Sequence, residues 1–127
     1  MSNPFSALIK VDIEEKRIAD LLVGAFEGGS NYWIDGITKV KPVERTFTYN
    51  EDGSPSFYDD PFNKGGEIRI QSSEGTHILN RDAIIRGLEV MSNEYANHFN
   101  DFLKENDDAS TSDIFLQCCL FGKVIFG

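Results

Sequence analysis

Ile18, Leu21, Leu22, Ala25 and Phe26 recur at three- and four-residue steps, the spacing of one buried helix face. Asp12 followed by Glu15 makes a capping pattern ahead of them, and Gly28 and Gly29 end the predicted helix. The apolar run Tyr32, Trp33 and Ile34 then suits a strand or a buried turn. From Val40 to Tyr49 the residues Val43, Phe47 and Tyr49 partly alternate with polar neighbours, which predicts a strand closed by the breaker NEDGSP. Asn50 to Gly66 combines five glycines and prolines with Phe57, Tyr58 and Phe62, and reads as a long loop carrying aromatic side chains. Ile68 and Ile70 alternate with polar residues, SSEG turns the chain, and Thr76 to Leu79 completes a predicted β-hairpin.

Asn80 then caps a stripe of Ile84, Leu88, Met91, Tyr95, His98 or Phe99, and Phe102. This predicts about 25 residues of helix, ~40 Å long. NDDASTSD breaks it, and Ser110 with Asp113 forms a second capping pattern for a helix from Thr111 to about Leu120, ended by Gly122. Lys123 to Phe126 is β-prone and is expected to pair with the sheet, since four residues of this kind would otherwise fray. The order of elements predicts a single α+β domain over residues 1–127, with a small, mainly antiparallel sheet, a long central helix and two shorter helices.

Composition narrows the partners. The 127 residues are 40 % hydrophobic and include ten Phe, enough for a core. Twenty-one acids against 12 bases give a net charge of −9, which argues against phosphate-backbone binding and against anionic membranes. The acidity is concentrated: Glu51–Asp60 has four acids and no base, and Asp101–Asp113 has five acids and Lys104, so eight of the nine net charges lie in these segments. No secretory signal pattern or membrane-length apolar run is present, which makes the cytoplasm the expected compartment. Cys118 and Cys119 are adjacent and cannot adopt ordinary disulfide geometry; with His77 and His98 they make no zinc spacing, and they read as buried small hydrophobes.

Three constellations remain. In EGGSNYW, Glu27 to Trp33, the glycine pair lets a ligand approach the backbone, Ser30 and Asn31 offer hydrogen bonds, and Tyr32 and Trp33 offer flat faces. The same residues also describe an ordinary helix end with a core Trp. In DDASTSDIFLQ, Asp113 and Gln117 share a helix face, and the aspartates either cap the helix or gather oxygens suited to Mg²⁺ or Ca²⁺ without an EF-hand spacing. The aromatic loop Phe57 to Phe62 suits a lid, a self-association surface or a segment tucked onto the domain. His98 and His77 read as core or boundary histidines.

EGGSNYWI, Glu27 to Ile34, and DDASTSDIFLQCCLFGKVIFG, Asp107 to Gly127, together make the chain resemble a family of small bacteriophage proteins. The resemblance implies expression in an infected bacterium, a place in the host cytoplasm and no required cofactor. Small phage proteins of this class often counter host defence, some as homo-oligomeric sponges for cyclic nucleotide or ADP-ribose-derived immune signals, as the anti-Thoeris and anti-CBASS proteins do. The expectation is therefore a non-enzymatic, homo-oligomeric protein that sequesters a nucleotide-derived ligand. Tyr32 and Trp33 would stack on the base, Gly28, Gly29, Ser30 and Asn31 would contact sugar or phosphate, Arg69 or Arg81 would balance phosphate charge, and Asp113 and Gln117 would bind polar edges. The alternatives are an acidic inhibitor that mimics DNA toward a host enzyme, and a Mg²⁺-dependent hydrolase using the aspartates around Asp107.

Overall fold

The computed structural model describes residues 4–7 and 9–127. The apolar spacing that begins at Ile18 forms helix α1, Glu15–Gly24, which buries Ile18, Ala19, Leu21 and Leu22. Its start is not capped by Asp12: Glu14 occupies the cap position without a side-chain bond, and the exposed Asp12 pairs with Lys10 at 3.7 Å. Nor do the glycines end it cleanly. The chain continues into a π-helical turn, Ala25–Gly29, closed by the Ser30 amide on the Ala25 carbonyl at 2.9 Å. A Cβ on Gly29 would lie 2.3 Å from the Ala109 carbonyl oxygen, so the turn presses against the last helix as no larger residue could.

The sheet is three-stranded and antiparallel, in the order β1 (Gly36–Val40), β2 (Glu67–Ser72), β3 (Gly75–Leu79). Ile37 stands opposite Ile70, and Ile68 opposite Leu79. The β2–β3 hairpin follows the alternation expected of it, with Ile68, Ile70 and Leu79 buried.

The strand expected at Val40 to Tyr49 ends at Val40, where it is β1. Beyond Pro42 the Val43 amide goes to the Lys64 carbonyl at 2.8 Å, and from Thr46 on backbone donors go to side chains instead of a neighbouring strand. Asn63 Oδ1 accepts the amides of Thr46 at 2.8 Å and Phe47 at 2.9 Å, and Asp59 accepts that of Tyr49. Phe47 and Tyr49 still point inward, against Phe62 and Tyr58, which explains a strand-like alternation without a strand. The aromatic loop also has structure of its own: a 3₁₀ turn, Phe57–Phe62, carries a capping box between Ser56 and Asp59 and tucks Tyr58 and Phe62 into the core.

Asn80 caps the next helix through the Ala83 amide, but the run does not continue as one piece. Tyr95, at φ −130° and ψ 50°, separates α2 (Arg81–Glu94) from α3 (Ala96–Leu103). At the break the Tyr95 hydroxyl accepts the Val124 amide at 2.9 Å. Helix α4, Ala109–Phe121, is capped by Asp108 and Thr111 rather than by Ser110 and Asp113, which frees Asp113 for a buried role on the next turn. Gly122, at φ +72°, ends it as expected. Gly87 lets α2 and α4 meet closely: a Cβ there would be 2.2 Å from Cys119 Sγ.

The architecture is thus α+β, a small antiparallel sheet with α2 as its longest helix and shorter helices around it. Lys123–Phe126 does not join the sheet; it forms no strand and is tied to side chains of α4 and of the α2–α3 break. Among the described residues no helix is long and apolar enough to cross a membrane.

Candidate functional site

The π turn delivers Ser30, Tyr32 and Trp33 to one side of α4, where Asp113 is waiting. Asp113 Oδ1 accepts Ser30 Oγ at 2.8 Å, Trp33 Nε1 at 2.7 Å and Gln117 Nε2 at 3.2 Å; Oδ2 accepts the Tyr32 hydroxyl at 2.6 Å. Four donors therefore converge on one carboxyl that is 8 % exposed, and each comes from a neutral side chain. Gln117, fully buried one turn on, uses its Oε1 to accept the amides of Ile125 at 2.8 Å and Phe126 at 2.9 Å, and its Nε2 also reaches the Phe126 carbonyl at 3.3 Å. The pair that shares a helix face thus fastens two remote segments to α4, the turn after α1 and the C-terminal segment.

That fastening decides what each aromatic can offer. Trp33 is 5 % exposed, stacks on Phe126 with ring centres 5.0 Å apart and planes at 7°, and meets Phe121 at 5.6 Å. Its N–H and the face under Phe126 are used within the protein, and its burial leaves the rest of the ring closed to solvent. Tyr32 keeps only its hydroxyl inside. Its side chain is 59 % exposed, while desolvation of the hydroxyl and then the Asp113 bond push its pKa up to about 12, so it remains a neutral donor. The ring stands at a shallow cleft of about 450 Å³ formed with Gly29, Ser110, Ile114, Val124 and Phe126, mostly apolar and open to solvent.

The other expected ligand residues lie elsewhere. Gly28 is exposed with open space around it. Asn31 faces a second cleft, of about 370 Å³, with Phe26, Glu27, Asp35, Phe57 and Tyr58. Arg69 donates to Glu67 at 2.8 Å on the sheet, and Arg81 donates to the Phe62 carbonyl at 2.9 Å and reaches Glu15 at 3.4 Å. Neither arginine lines the cleft at Tyr32.

The aspartates around Asp107 go three separate ways: Asp107 toward Arg17 at 3.7 Å, Asp108 to the Thr111 amide at 3.0 Å, and Asp113 to the turn. Among the described residues no group of three or more His, Cys, Asp or Glu side chains is placed to hold a metal ion. Of the nine acids in the two acidic segments, Asp59, Asp60 and Asp113 are buried, and the first two face Arg45 at 3.0 and 3.3 Å. Burial pushes the Cys118 thiol up to about 12 and that of Cys119 well above its ordinary value, which removes both as nucleophiles. His98 Nδ1 meets Thr111 Oγ1 at 3.2 Å, and His77 packs edge-on to Phe121 at 4.7 Å with its Nδ1 unpartnered.

Val124 and Phe126 are legible in the sequence only as part of a β-prone segment, Glu27 opens EGGSNYW without a role of its own, and Phe26 and Asp35 carry no signal beyond a helix face and a turn. No protein-family model, curated protein or solved structure matches the chain.

Proposed function

We propose that the protein works by binding and not by catalysis, holding the nucleoside end of a nucleotide-derived ligand in the cleft beside Tyr32. In the setting that its resemblance to phage proteins implies, the cytoplasm of an infected bacterium, such binding sequesters a host immune signal. The observation that carries the reading is the Tyr32 ring, solvent-exposed yet fixed through its hydroxyl by Asp113, at the mouth of a cleft lined by Ile114, Val124 and Phe126. A rigid aromatic face beside an apolar wall suits a base, and stacking of this kind is worth about 1–3 kcal/mol.

Trp33 takes no part as a stacking face, because Phe126 covers it. The phosphates stay in solvent: neither Arg69 nor Arg81 lines the cleft, and Asp108 already uses amides of the first turn of α4. Affinity therefore follows the base and is nearly independent of salt. The buried thiols and the separated aspartates are consistent with a ligand that leaves unchanged. Self-association into a homo-oligomer belongs to the same proposal, and light scattering that gave a single copy would remove that part of it.

The test is calorimetric titration with adenosine, cyclic AMP and ADP-ribose, followed by heat denaturation and chromatography of the released ligand. Binding of comparable strength for all three, lost at least tenfold in Tyr32→Ala, with intact ligand recovered, is the expected outcome. Recovery of a cleaved ligand would make the protein an enzyme, and no heat with any of the three would overturn the reading.

A further inference from the structure

Phe26, Phe57 and Tyr58 pack against one another with ring centres 4.2 to 6.3 Å apart and line the second cleft, of about 370 Å³. Ile34 and Ile37 complete its apolar wall. The only formal charges on that lining are negative, Glu27 and Asp35, and no base lines the cleft. Each of the two is without an ion pair among the described residues. Glu27 accepts only the Tyr58 hydroxyl, at 3.2 Å.

The face of an aromatic ring is negative and attracts a cation, and a carboxylate beside it adds to the same field. Apolar ligands would gain from the walls alone; anions would be repelled by both features. A cation with an apolar body satisfies the rings and the carboxylates together. Lys39 Nζ lies 4.2 Å from the Phe57 ring centre without lining the cleft, so Phe57 already has a cation on one face and the carboxylates carry the attraction for a further one.

We infer that the cleft between Phe26, Phe57 and Tyr58 is a second binding site, for a small organic ammonium ion whose apolar body rests on the rings and whose charge meets Glu27 and Asp35. The Asn31 side chain, on the same lining, supplies a further polar contact for the ammonium hydrogens. This site shares no lining residue with the cleft at Tyr32 and takes a ligand of opposite charge.

The probe is phenethylammonium, compared with phenethyl alcohol, which keeps the body and loses the charge. Both are titrated into the full chain and followed by the ring-proton shifts of Phe26, Phe57 and Tyr58. Saturable shifts of these rings at a concentration at least tenfold lower for the ammonium are expected. In Glu27→Gln with Asp35→Asn that advantage disappears, while circular dichroism and the thermal midpoint report an intact fold; Asp35→Asn alone provides a milder variant that leaves the Tyr58 bond in place. Equal binding of the alcohol would reduce the cleft to an apolar dent, and shifts confined to other residues or no saturation would overturn the site. These outcomes are independent of any result with adenosine at Tyr32.

Discussion

Two buried carboxyl clusters hold this fold together by different means. Asp113 is surrounded by a hydroxyl, a phenol, an indole and an amide, with no cation in contact. Asp59 and Asp60 instead share the Arg45 guanidinium, while Asp59 also takes the amides of Ser56 and Tyr49. The first cluster joins the turn to α4 across 80 to 83 residues of sequence; the second pins one loop across 3 to 15 residues. The donors to Asp113 come from the turn after α1 and from α4 itself, whereas Arg45 and its two aspartates lie within one stretch of the sequence. The long-range tie is therefore the one that builds a cleft, and the short-range tie is the one that orders a loop.

Removing the acceptor of the first cluster should have the largest effect. Asp113→Ala strands four donors, three of them on buried residues, and at ~1–3 kcal/mol for each buried group left unmade the expected loss is roughly 4 kcal/mol in urea denaturation. Asp113→Asn, which keeps one oxygen, should lose clearly less. Equal losses for the two variants would mean that packing, not hydrogen bonding, holds the turn. Arg45→Met comes next, at roughly 3 kcal/mol, because it leaves Asp59 and Asp60 buried side by side without their cation. Burial already raises the Asp60 pKa above its ordinary value, with Arg45 lowering it, so the variant's deficit should shrink as pH falls and Asp60 takes up a proton. A deficit unchanged down to acid pH would contradict the ion-pair account.

Tyrosine ionisation gives a smaller, sharper signature. Tyr32, Tyr49 and Tyr58 each have pKa values pushed up to about 12, the first and third mainly by desolvation, the second mainly by its bond to Asp20. The unfolded chain releases these protons near the ordinary value, about 10. Their contribution to stability is complete below that pH and is lost as pH rises from about 10 to about 12. An ultraviolet titration should show Tyr32, Tyr49 and Tyr58 ionising late and together with unfolding, whereas early phenolate absorbance from these three with an intact fold would count against it. Tyr32→Phe, which loses only a bond at the cleft mouth, should cost about 1 kcal/mol and leave the exposed ring in place.

Local patterning announced the pieces better than their junctions. The β2–β3 hairpin, the Gly122 cap and the Ile18–Phe26 helix face follow from spacing, because each is decided by neighbours a few residues away. Phe47 and Tyr49 misled because alternation reports which side chains point inward and not where the backbone amides go, here to Asn63 and Asp59. Tyr95 interrupts an unbroken apolar stripe at a point where its hydroxyl meets the amide of Val124, a contact 29 residues away. At the site, the grouping of the turn with Asp113 and Gln117 was suggested by residue type alone. That Asp113 would consume their polar atoms, and that Phe126 would cover Trp33, depends on how the tail crosses α4.

The claim that Tyr32 marks the ligand cleft is tested most directly by amide chemical-shift mapping with saturating ADP-ribose. Shifts concentrated at Gly29–Tyr32, Ser110–Ile114 and Val124–Phe126, with the β2–β3 hairpin unmoved, are the result the account predicts. Shifts centred on Arg69 or Arg81, or none at saturation, would contradict it.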